Sequence, residues 1–107
     1  MIYVENAAGS KAPTWHVSIN QWGSSGNTGY YSMAPGKKRD WDRSSKRGYV
    51  LAVSMDGHDV NFDAYYVHHN SNISLKLVSS GDPALGVVDG LVVYDGSSKL
   101  TPAYSKK

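Results

Sequence analysis

The chain has 107 residues and a formal net charge of +2; 40% of its residues are hydrophobic and 19% charged. These values exclude a disordered chain and allow one modest core. The absence of cysteine excludes a disulfide framework, a thiolate nucleophile and a cysteine metal site. No window repeats apolar residues at helical spacing over three turns, whereas strand patterns recur at short intervals. Ile2 and Val4 alternate with Tyr3, and Trp15, Val17 and Ile19 alternate with His16, Ser18 and Asn20, a half-buried strand of period two. Tyr31 and Met33 form a short strand ahead of the turn dipeptide Pro35-Gly36. In RDWDR, Arg39, Trp41 and Arg43 share one face, opposite Asp40 and Asp42. GYVLAVS is apolar on both faces and reads as a central strand covered on both sides. Asp56-Gly57 suits a tight hairpin turn, and Val60, Phe62 and Ala64 follow on one face. Ile73, Leu75 and Leu77 alternate with Ser74 and Lys76; Asp82-Pro83 then breaks the chain. Valine-rich segments around Asp89-Gly90 close the pattern, and residues 101–107 are expected to fray.

Seven to nine short strands joined by Gly, Asp, Asn and Pro turns predict a β-sandwich or a small barrel. The architecture expected is a single all-β domain over residues 1–107, an antiparallel β-sandwich. No run approaches the about 20 apolar residues of a membrane helix. Met1 leads straight into IYVEN without a basic and apolar leader, so a cytoplasmic protein is expected.

Enzyme signatures are missing. The sequence holds no G-x-S-x-G, P-loop, H-E-x-x-H or G-x-G-x-x-G motif. His68 and His69 are adjacent, so on a strand they point to opposite faces and cannot easily share a metal. No catalysis, cofactor or metal is expected.

Aromatic residues interleave with planar polar ones in three places. NQWGSSGNTGYY carries Trp22, Asn27 and Tyr30; DAYYVHHNSN carries Asp63, Tyr65, Tyr66, His69 and Asn70; Trp41 lies between Asp40 and Asp42. Sugars present apolar C–H faces and rings of hydroxyls. Aromatic platforms flanked by carboxylates, amides and imidazoles suit that surface. Trp22, Asn27, Tyr30, Trp41, Asp63, Tyr65, Tyr66, His69 and Asn70 are therefore the expected ligand contacts. A second reading uses the basic run Lys37, Lys38, Arg39, Arg43, Lys46 and Arg47 to hold a polyanion, a sulfated glycan or nucleic acid. The charge is too mild for nucleic acid to be the expected partner.

The order VENAAG, Trp15, GSSGNTGYY, APG, the W-D-R of residues 41–43 and RGYVLAV resembles the actinoporin-like cytolysins and the fungal fruit-body lectins that share their fold. The likeness covers about half the chain. Within it, Val4-Glu5-Asn6 and Gly9 followed by Trp15 look like the first strand pair of the cytolysins, and Pro35-Gly36 like their turn before the next strand. NFDAYY resembles the tyrosine-rich segment lining their phosphocholine pocket, which implies that Tyr65 and Tyr66 contact a headgroup or a sugar. The chain departs from the cytolysins in opening on a strand where they carry an amphipathic helix. It also lacks their clustered membrane-facing tryptophans. What the resemblance implies is the recognition half: a lectin for glycans or glycoconjugates, or a surface for membrane lipid headgroups. Single lectin sites bind weakly, so a homodimer or homotetramer is expected to raise avidity.

Overall fold

A computed structural model describes residues 1–22, 29–79 and 83–107. Ten strands are present among them: β1 (Ile2–Asn6), β2 (Trp15–Ile19), β3 (Tyr31–Met33), β4 (Lys38–Trp41), β5 (Tyr49–Ser54), β6 (Phe62–Val67), β7 (Asn72–Leu77), β8 (Leu91–Asp95), β9 (Ser98–Lys99) and β10 (Tyr104–Lys106). They form two five-stranded sheets, sheet A in the order β4-β1-β7-β8-β9 and sheet B in the order β10-β6-β5-β2-β3. The all-β sandwich expected from the sequence is the fold. Its pairing is antiparallel except between β1 and β7, which run parallel with Val4 opposite Ile73.

Alternation along the strands builds the core. Ile2, Val4, Ile73, Leu75, Leu91 and Val93 point inward from sheet A, and Trp15, Val17, Ile19, Met33, Leu51 and Val53 from sheet B. Most are fully buried, and each such side chain contributes about 1.5–3 kcal/mol through the apolar area removed from water.

Three expectations need correction. β5 is central in sheet B but covered on one side only: Tyr49, Leu51 and Val53 are buried, while Val50 is exposed on the outer face. β6 packs with the opposite face to the one expected. Phe62, Ala64 and Tyr66 point outward, and Asp63, Tyr65 and Val67 inward. The reason is that Asp63 finds donors inside the protein: its carboxylate accepts from Val87 N at 2.9 Å, Val88 N at 3.0 Å and the Ser105 hydroxyl. A buried carboxylate so satisfied is tolerated where an isolated one would not be. Finally, the C-terminal segment is not frayed. β10 pairs with β6, Ser105 opposite Asp63.

Candidate functional site

Trp22 follows β2 on the outer side of sheet B. Its indole N–H donates to the Gly48 carbonyl at 2.6 Å, and the residue remains 43% exposed. Gly48 adopts φ +86°, and a Cβ there would meet the Val67 carbonyl at 3.4 Å; the backbone conformation is one that favours glycine. Opposite stands Tyr66, 74% exposed. With Asn20, Arg47 and Val50, these residues line a groove of about 380 Å³. The Arg47 guanidinium lies 5.0 Å from the Trp22 ring centroid, within cation–π range.

The walls are fixed by local hydrogen bonding. The Asn20 side chain accepts from Val50 N at 2.7 Å, tying the end of β2 to β5. Arg43 is buried and donates to the carbonyls of Ile19 (3.0 Å), Asn20 (2.8 Å) and Asp42 (3.2 Å). It thus joins the segment that carries Trp22 to the loop that carries Arg47. The Tyr49 hydroxyl accepts from Ser45 N at 2.8 Å, and the Ser45 hydroxyl accepts from Arg47 N at 3.2 Å. The result is a site with two presented ring faces and one guanidinium on a braced loop, able to stack a ligand and hydrogen-bond its edge.

Of the sequence-predicted contacts, the groove brings together Trp22 and Tyr66. Asn27 lies outside the described residues. Trp41 and Tyr65 are core residues, and Asp63 is fully buried, so none of the three can touch a surface ligand; the inward turn of β6 and the packing of β4 place them there. Burial and the charge of Asp63 push the Tyr65 phenol well above its ordinary range. Trp41 packs edge-on against Tyr31, with ring centroids 5.9 Å apart. Tyr30 lies apart from the groove, with its hydroxyl donating to Asp59 at 2.7 Å. Burial first, then that hydrogen bond and the charges of Asp59 and Asp56, raise its pKa beyond the usual tyrosine range. His69 and Asn70 lie in the turn between β6 and β7. The connected histidine there is His68, which bonds the Asn70 side chain and lies 3.4 Å from Asp95. His69 contributes its main-chain carbonyl to the Met1 amine at 2.8 Å.

The basic run does not converge. Lys37 and Lys38 stand at the start of β4, with Lys38 4.0 Å from Glu5. Arg39 is stacked over Tyr31 at 3.5 Å, and Arg43 is buried among carbonyls, which removes it from any anion site. Lys46 and Arg47 are exposed on the loop before β5. Val50 carries no signal of this placement in the sequence, because a strand apolar on both faces gives no sign that one face is open.

No family model, curated protein or solved structure matches the chain. Among the described residues no helix is long and apolar enough to cross a membrane, and no cluster of three or more His, Cys, Asp or Glu could hold a metal ion.

Proposed function

We propose that the protein is a lectin, binding glycans or glycoconjugates in the groove between Trp22 and Tyr66 without covalent chemistry. The observation that carries this reading is the pair of exposed rings on a braced framework. Aromatic faces of that kind match the C–H faces of a sugar, and Asn20 and Arg47 supply donors for its hydroxyls. The resemblance to the actinoporin-like and fungal-lectin group points the same way. A chain without cysteine suits the reducing cytoplasm, and assembly into a homodimer or homotetramer would raise the avidity of a single weak site.

A second reading takes a phosphocholine headgroup into the same groove, because Arg47 lies beside the Trp22 ring: the guanidinium would hold the phosphate and the rings the quaternary ammonium. A polyanion bound through the basic run is less favoured, since Arg43 is buried and Lys38 faces Glu5.

A glycan array read at moderate and high salt separates the three. Neutral-glycan hits that survive high salt are the expected result. Hits confined to sulfated glycans and lost in salt would transfer the function to the cationic residues, since counterion release makes such binding steeply salt-dependent. A blank array together with binding to phosphocholine vesicles would replace the lectin reading by the headgroup one.

A further inference from the structure

The outer face of sheet A carries a separate concavity of about 520 Å³, lined by side chains of Tyr3, Glu5, Lys38, Asp40 and Asn72. Strand register sets its geometry. Tyr3 on β1 stands directly opposite Asp40 on β4 and Asn72 on β7. Adjacent strands lie about 4.8 Å apart, so the carboxylate and the amide flank the tyrosine ring across about 10 Å. The next row along the strands is Lys38, Glu5 and Ser74.

The chemistry of the first row is uncommitted. Tyr3 is 51% exposed. Among the described residues no hydrogen bond or ion pair engages the side chains of Tyr3, Asp40 or Asn72. Glu5 is balanced by Lys38, and Arg39 is turned away, over Tyr31. What remains is an aromatic face with an acceptor on one side and an amide, both donor and acceptor, on the other. That set complements a neutral ring bearing hydroxyls on its edge.

We propose that this face is a second binding site, which takes a pyranose ring on Tyr3 between Asp40 and Asn72. The assignment rests on the carbohydrate reading above. Because the two sites lie on the outer faces of opposite sheets, one chain would be bivalent and could bridge two glycans without oligomerising.

The test is an NMR titration of the 15N-labelled chain with lactose, cellobiose and N,N′-diacetylchitobiose, and separately with phosphocholine. It compares the natural protein with Tyr3→Ala, Asp40→Ala and Trp22→Ala. Both Tyr3 and Asp40 point outward, so the remaining amide spectrum of each variant should be preserved. The expected result is that at least one disaccharide shifts the amides around Tyr3, Asp40 and Asn72. Tyr3→Ala or Asp40→Ala should weaken that response at least about tenfold and leave the response around Val50 and Tyr66 intact, with Trp22→Ala doing the reverse. Shifts confined to Val50 and Tyr66 would overturn the second site and spare the lectin reading. No shift with any sugar would overturn both. A response at Tyr3 to phosphocholine and to no sugar would overturn the assigned ligand class.

Discussion

The indole N–H of Trp22 donates to the carbonyl of Gly48 across 2.6 Å. This bond fixes an exposed ring against a loop 26 residues away, so Trp22 is held at the surface without being packed in the core. On the proposed lectin reading, Trp22→Ala should lower glycan affinity at least about tenfold. Its stability cost should be only about 1 kcal/mol, the worth of one hydrogen bond. Trp22→Phe should keep part of the affinity while losing the same bond. Array binding and thermal melts of the two variants check this; loss of cooperative melting in Trp22→Ala would assign the residue to the core.

Arg43 and Arg47 are four positions apart and have opposite roles. Removing Arg43 leaves the carbonyls of Ile19, Asn20 and Asp42 without their buried donor. Arg43→Met should cost about 3 kcal/mol of stability. Arg47→Met, at an exposed position, should change the melting midpoint little and alter ligand binding. Denaturant unfolding of both variants separates the roles, and equal stability losses would contradict them.

Asp63 joins β6, the segment at residues 86–88 and β10. Asp63→Ala would leave two main-chain donors and one hydroxyl unsatisfied, at an expected cost of about 3–5 kcal/mol. Gly86→Ala tests the same junction from the other side, because a Cβ on Gly86 would overlap the Asp63 carboxylate. It should destabilise the fold although it adds one methyl group. Chemical denaturation measures both, and a neutral Gly86→Ala would show that the carboxylate has room to move.

The Tyr65 phenol, buried and beside the charge of Asp63, has its folded-state pKa raised above the ordinary value of 10.0. Its neutral form is thus favoured by folding. The stabilisation is fully present below pH 10 and is lost as pH rises through that value toward the folded pKa. The melting midpoint should fall steeply on the alkaline side, and more shallowly in Tyr65→Phe, which cannot ionise. Thermal melts across alkaline pH read the difference, and identical slopes would remove Tyr65 as the cause.

The apolar inward residues Ile2, Val4, Trp15, Val17, Ile19, Ile73 and Leu75 were legible in the sequence from their alternation, whereas the buried Asn6 and the exposed Leu77 were not. At β6 the same rule misleads. FDAYYV carries aromatics on both faces, and the side that turns inward is decided by donors at residues 87, 88 and 105, which no local pattern reveals. This inversion separated Asp63 and Tyr65 from the surface and left Tyr66 exposed. Arg39 and Trp41 share one face of β4, as the alternation implies, but Arg43 lies beyond the strand; its charge suggested solvent, whereas its geometry serves neighbouring carbonyls. Trp22 was recognisable from its glycine-rich surroundings. Its partner Val50 was not, since openness of a sheet face is a property of the assembled sandwich.

The position of β1 between β4 and β7 bears on how the chain emerges from a ribosome. The β3-β2-β5-β6 part of sheet B is specified once residue 67 has been synthesised, and all of its pairings are antiparallel. Sheet A cannot order itself in that sequence: Ile2–Asn6 needs one neighbour from residues 38–41 and another from residues 72–77. A nascent chain paused between these lengths presents four strands of sheet B, still without β10, whose apolar inner face can be met only by β1 and β4, beside a first strand with one edge unpaired. Such a state invites chaperone capture or self-association, and the β1–β7 pairing is of the long-range kind that slows folding in general.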